Sequence, residues 1–227
     1  MSKRMRWAGA AGAAAAIALL AAACGASSNG VAAKTPAQIV AAAELAIKGA
    51  TSYEVSSSGT SGTSVTSFDL KVVGADISGT YTLNGSTVDL LVVASTIYIE
   101  APASFYTAEG ASAAGAARLG GAWVEIPAGS SYSSDFSSIS NITDLPSKLP
   151  STTDTFTSDG TGTVEGQPVV FVKDTTSGNV VAIATSGPAY PLQVKETGST
   201  AGTYDLSNWN SVATFTAPPN PLTLPST

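Results

Sequence analysis

Residues 68–100 read FDLKVVGADISGTYTLNGSTVDLLVVASTIYIE, and this stretch decides the fold. Phe68, Leu70 and Val72 alternate with Asp69 and Lys71. Ile77, Gly79, Tyr81 and Leu83 alternate with Ser78, Thr80 and Thr82. A period of two puts one set on each face of a pleated strand, the mark of a sheet half covered by core. Asn84-Gly85 supplies a tight hairpin turn into Val88–Val93, and Ile97-Tyr98-Ile99-Glu100 continues the meander. Val88–Val93 is apolar at nearly every position, so either face could turn inward. Residues 51–100 are expected to form four or five antiparallel strands in sequence order.

Upstream, Thr35-Pro36-Ala37-Gln38 carries the signals that open a helix: an N-cap hydroxyl, proline at the first turn, and a glutamine that completes a capping box. Ile39, Val40, Ala43, Ala46 and Ile47 share one face, Glu44 and Lys48 pair on the other, and Gly49 stops the helix. Downstream, residues 103–119 are alanine-rich and helical, and Trp123–Pro127 is a short strand that ends at proline. Phe136, Ile139, Ile142 and Leu145 have helical spacing within Asp135–Leu149, although serine and asparagine weaken the propensity. A second set of strands runs through Val164, Val169–Val172, Val180–Ile183, Tyr190–Lys195, Tyr204–Leu206 and Val212–Phe215, with Ser177-Gly178-Asn179 as one turn. The two sets read as halves of one large sheet. The proline-rich tail, 217–227, is expected to trail over the surface.

Composition narrows the chemistry. The chain of 227 residues has no histidine and one cysteine, Cys24, which removes imidazole catalysis, histidine or cysteine metal sites and intrachain disulfides. All 16 acids follow Cys24, whereas Lys3, Arg4 and Arg6 precede it; without those first residues 7 basic groups face 16 acidic ones, a formal charge of −9. No basic footprint remains for nucleic acid or for anionic lipid headgroups. The carboxylates alternate outward on strands or sit in loops, as Asp69, Asp89 and Glu100 do, so a glycosidase pair is not expected. No Ser-x-x-Lys spacing, phosphate-binding loop or calcium loop occurs. The chain reads as a non-enzyme with no cofactor and no metal. Asn141-Ile142-Thr143 matches a glycosylation sequon by chance.

Residues 1–23 have the three parts of a secretory signal: Lys3, Arg4 and Arg6, an alanine-dominated apolar run, and small residues before a cut site. Leu20-Ala21-Ala22-Ala23-Cys24 resembles a bacterial lipobox, with leucine one place further upstream than usual. Cys24 is therefore the expected lipidation site, and residues 24–34 a flexible tether that could extend about 30–35 Å. Each buried methylene contributes roughly 0.8 kcal/mol, so acyl chains would hold the protein to the outer face of the cell membrane.

Several phrases of the remaining chain resemble the LolA-like lipoprotein-carrier family, in particular actinobacterial lipoproteins of the LppX and LprG type. They are Ile97–Tyr106, Leu119–Pro127, Glu165–Val169, Gly187–Leu192, and Asn208-Trp209-Asn210 with Pro218-Pro219. The resemblance implies an α+β fold: a strongly curved antiparallel β half-barrel whose concave face is covered by a few helices, forming a single domain over 35–216. It also implies an apolar cavity for lipid or glycolipid acyl chains, lined by Phe68, Leu70, Val72, Tyr81, Leu83, Leu90, Val92, Ile97 and Ile99, with Phe105 and Tyr106 from the helical roof. A carrier would work with a membrane transporter; the alternatives are an envelope-state sensor that uses the same cavity and reports to a membrane regulator, and a passive surface lipoprotein with a filled core. Apolar strand faces suit all three.

Overall fold

In a computed structural model of the chain, the residues described are 27–58, 65–127, 155–198 and 201–224. Helix α1, Pro36–Lys48, starts as its sequence dictates: the Thr35 side chain accepts from the Gln38 N–H, the Gln38 side chain accepts from the Thr35 N–H, and Gly49 caps the far end. Ile39, Val40 and Ala43 are its buried face. Five strands follow: β1 Ser52–Ser58, β2 Val65–Val73, β3 Asp76–Leu83, β4 Ser86–Val93 and β5 Thr96–Glu100. Asn84 and Gly85 both have positive φ, 49° and 81°, as a two-residue hairpin turn requires. The alanine-rich segment forms two short helices, α2 Ala103–Ala108 and α3 Ala113–Leu119, before β6 Trp123–Ile126. The helix expected within Asp135–Leu149 lies outside the described residues. Then come β7 Phe156–Val164, β8 Gln167–Asp174, β9 Val180–Ala184, β10 Pro191–Glu196, β11 Gly202–Ser207 and β12 Leu222–Thr223.

All twelve strands belong to one open sheet, ordered β12-β6-β5-β4-β3-β2-β1-β11-β10-β9-β8-β7. The two sequence halves join through the antiparallel pairing of β1 with β11. Laid flat at about 4.8 Å per strand, such a sheet would be some 50 Å wide. Yet residues of α1, α2, α3 and strands from β6 through to β8 meet in a single apolar cluster. The sheet must therefore curl around its helices, with that cluster on the inner face.

Register builds the cluster in rows. One row crosses eight strands: Leu206, Val55, Leu70, Gly79, Leu90, Ile99, Val124 and Leu222. A second runs from Val172 through Val181, Val194, Tyr204, Ser57, Phe68 and Tyr81 to Val88. Pairing of Leu90 with Gly79 and Ile99 fixes the inward face of β4, while Leu91 pairs with Ser78 and Tyr98 on the other.

Three expectations need correction. Val212–Phe215 is not a strand: β11, which it was to follow, already has β1 and β10 on its two sides, so no ladder is open to it. The tail does not simply trail. Its Leu222-Thr223 adds β12 to the sheet, the one parallel pair among the described strands, against Val124 and Glu125 of β6. Residues 28–34 are not a free tether either. Ser28 bridges to Ser186, Val31–Ala33 form a 3-10 turn, and Val31 is buried in the main cluster. Asn29 does most of this: its N–H donates to Thr185 O, its amide NH2 to Ala184 O and Gly187 O, and its Oδ1 accepts from the Val31 N–H. The backbone N–H and the side-chain amide of one small residue thus dock the chain on the β9–β10 loop.

Candidate functional site

The eleven residues expected to line a cavity all belong to the inner-face cluster or pack against it, apart from Val72, buried in register between Tyr53 and Ile77. Phe68, Leu70, Val72, Tyr81, Leu83, Leu90 and Ile99 are buried, as are Phe105 and Tyr106, whose rings meet edge to face at 5.3 Å. Leu70 and Ile99 are 0% exposed and Leu90 1%, so this part of the row is closed to solvent. Val92 and Ile97 are different. They are half-buried, and so is Tyr53; the three lie in one register row with Val72, Ile77 and Ile126. This row sits at the strand ends nearest the β2–β3 and β4–β5 turns. The inner face is thus sealed at its centre and more open along one rim.

Sequence reasoning did not select Val124, Val170, Val172, Val181 or Ile183, which belong to the same cluster, nor Ala116 and Leu119 of α3. Period two alone marks the strand residues; what was missing was the pairing that brings β8 and β9 around to face β2.

The outer face carries a second, smaller cluster of Val164, Val169, Ala182, Ala184 and Leu192, with Tyr190, Phe171 and Trp209 against it. Here Trp209 stacks on Tyr190 at 4.6 Å and an interplanar angle of 3°, touches Tyr53 at 5.2 Å, and donates its indole N–H to Pro191 O. Asn210 donates to the Tyr190 hydroxyl and accepts from the Thr51 N–H, which locks the Asn208–Ser211 corner to the start of β1. A cleft of about 720 Å³ opens beside the stacked rings. A smaller one of about 290 Å³ lies over Phe171, Ala182 and Lys195. Neither is lined by the eleven inner-face residues.

The electrostatics are mild. Among the described residues no group of three or more acids, histidines or cysteines could hold a metal ion. Asp69 has its pKa raised by burial first and then by neighbouring Glu54. Tyr204 is raised by burial and by Glu196. Asp174 is lowered by hydrogen bonds from Ser177 and Thr176, which fasten the β8–β9 turn. No helix among the described residues is long and apolar enough to cross a membrane.

No model of a known protein family matches the chain, and no curated protein matches it either. Solved structures do. The lipoprotein LppX of Mycobacterium tuberculosis superposes with a TM-score of 0.53 at 18% identity, over 79% of this chain and 97% of that one. LprF of Mycobacterium bovis superposes with a TM-score of 0.57 at 16% identity, over 82% of this chain and 97% of that one. At such identities the likeness is one of fold. The chain has the open, curved, mostly antiparallel sheet with few helices found in these two proteins.

Proposed function

We propose that this chain is a lipoprotein, anchored outside the cytoplasm through Cys24, which binds or carries lipid or glycolipid acyl chains against the inner face of its sheet. One observation carries the reading: an apolar face spanning most of a twelve-strand sheet is covered by only three helices among the described residues, α1 to α3. The shared fold with two mycobacterial proteins, one of them described as a lipoprotein, supports it. The scarcity of cations argues that any membrane affinity comes from acyl burial rather than charge.

In this reading Tyr53, Val92 and Ile97 form the mouth, because they are the half-buried members of the row that also holds Val72, Ile77 and Ile126. The mouth lies at the same strand ends as the Asn29 clamp, since Tyr53 neighbours the Glu54–Ser207 pair and Ser207 aligns with the start of β10. Anchor and mouth would then both face the bilayer. A ligand held by apolar area should bind more tightly with each added methylene, by roughly 0.8 kcal/mol, until the space is full.

The sealed surroundings of Leu70, Leu90 and Ile99 favour a second reading, a passive lipoprotein with a filled core. One pair of variants separates the two. Val92→Trp narrows the mouth and should lower binding of a fluorescent fatty acid with little change in melting. Leu90→Trp overpacks a filled interior and should cost roughly 1–3 kcal/mol. Saturable fatty-acyl binding by the wild type, lost in Val92→Trp, supports the carrier. No saturable binding, together with a destabilised Leu90→Trp, leaves the passive protein. Lipid extraction and mass spectrometry of the purified protein would identify the natural ligand.

A further inference from the structure

The cleft beside the stacked rings is built mainly from outer-face residues and reaches the end of an inner row only at Leu206; it is more polar than the inner face, and we infer that it is a binding site for a neutral glycosyl group. Its floor is apolar (Val164, Ala184 and Leu192), its wall carries the Tyr190–Trp209 stack, and its rim carries hydrogen-bonding groups from Gln167, Asn208, Ser186 and Ser211. Sugars have this dual character: the C–H face of a pyranose packs on an aromatic ring while its hydroxyls exchange hydrogen bonds with amides and side-chain oxygens. No lysine or arginine lines the cleft, and Glu165 does. A phosphate or carboxylate would meet a carboxylate there and find no cation, so an anionic ligand is disfavoured. A bare acyl chain would leave the polar rim unpaired, at a cost in desolvation.

The position adds a second argument. The clamp formed by Asn29 holds the chain to Ala184 and Gly187, and both residues line the cleft. From Ser28 back to Cys24 the chain can span only about 14 Å. If Cys24 carries the anchor, the cleft lies at the depth of the sugars borne by membrane glycolipids. The aromatic pair suits that setting, since tyrosine and tryptophan favour the boundary between apolar and wet surroundings. The inference does not depend on acyl binding at the inner face.

The test is an array of neutral and anionic oligosaccharides probed with the purified protein, followed by titration of the best glycan by tryptophan fluorescence. Saturable binding to neutral glycans is expected. Ser211→Trp, which fills the cleft from an exposed position, should weaken it at least tenfold without moving the melting curve. Leu90→Trp should leave glycan affinity unchanged, because it alters only the inner face; failure of the acyl reading and failure of this one are thereby distinguishable. Binding to vesicles of phosphatidylcholine with a glycosyl diacylglycerol, without binding to the free oligosaccharide, assigns the sugar to a lipid headgroup. Equal binding of both assigns it to the glycan alone. No saturable binding to any neutral glycan or glycolipid vesicle, a preference for anionic ones, or wild-type affinity in Ser211→Trp would overturn the proposal.

Discussion

Gly79 of β3 lies against the backbone of Asp69 in β2 so closely that a β-carbon there would collide with the Asp69 carbonyl oxygen and sit 3.0 Å from the Leu70 α-carbon. Gly79 occupies the inner-face row between Leu70 and Leu90, where every other member carries an apolar side chain. Its φ of 153° is open to glycine and poorly open to other residues. A missing side chain in the middle of a row relieves crowding on the inner face, and that lets the sheet curl.

Gly79→Ala should therefore destabilise the domain by about 3 kcal/mol, combining backbone strain with the steric collision. Gly85→Ala is the control. Its φ of 81° is equally unfavourable, but a β-carbon there meets nothing within 4 Å, so the cost should be nearer 1 kcal/mol. Urea unfolding of both variants separates the two effects. Equal losses would show that the collision is absorbed by a small shift of β2.

Where local chemistry fixes local geometry, the sequence is legible. Thr35, Gln38 and Gly49 bound a helix, and Asn84-Gly85 closes a hairpin, because caps and turns depend on residues a few positions apart. The inward face of Val88–Val93 is not legible, since leucine and valine occupy both faces; only pairing of Leu90 with Gly79 and Ile99 decides it. The same limit hides the outer-face cleft. Tyr190 and Trp209 meet there across the β10–β11 hairpin, and their periodicity says nothing of that meeting. Leu222-Thr223 looks like part of a proline-rich tail because a two-residue parallel strand has no local signal at all.

Asn29 should matter out of proportion to its size. Replacing it with alanine removes its side-chain bonds to Ala184 O, Gly187 O and the Val31 N–H while leaving the Asn29 N–H bond to Thr185 O. A loss of about 1–2 kcal/mol is expected. Amide exchange should also rise across 28–34, where Val31 would lose its seat in the cluster. Unchanged protection of the Val31 and Lys34 amides in Asn29→Ala would mean that burial of Val31 alone holds the segment.

Asp174 gives the fold a defined response to acid. Its carboxylate accepts from the Thr176 N–H at 2.8 Å and from the Ser177 hydroxyl at 2.5 Å, and these bonds lower its pKa from the ordinary 3.8. The unfolded chain then binds the proton more readily than the folded one, so the stabilisation is complete above 3.8 and lost as pH falls through the lower folded value. Asp174→Asn should be less stable than wild type by about 1 kcal/mol at neutral pH. That gap should close below pH 3.8, as thermal melting across the acid range would reveal. A gap independent of pH would assign the loss to turn geometry rather than charge.

The docked segment turns the anchor proposal into a statement about orientation. With residues 28–34 held to the sheet, only Gly25, Ala26 and Ser27 separate Cys24 from Ser28. Three residues cannot let the domain swing freely, so the β9–β10 loop should ride at the membrane surface. The turn at Asn84-Gly85, at the opposite strand ends, should stand away from it by about one strand length, roughly 25 Å. Because Cys24 is the only cysteine and would be acylated, a cysteine placed at Pro188 or at Gly85 can be labelled specifically. Headgroup-bound quenchers should dim a fluorophore at Pro188→Cys strongly and one at Gly85→Cys weakly. Cys24→Ala should abolish both effects and shift the protein from the detergent phase to the aqueous phase, since acyl burial supplies the affinity. Detergent partitioning that survives Cys24→Ala would remove the anchor. Equal quenching at the two probe positions would keep the anchor but show that the clamp at Asn29 does not orient the domain.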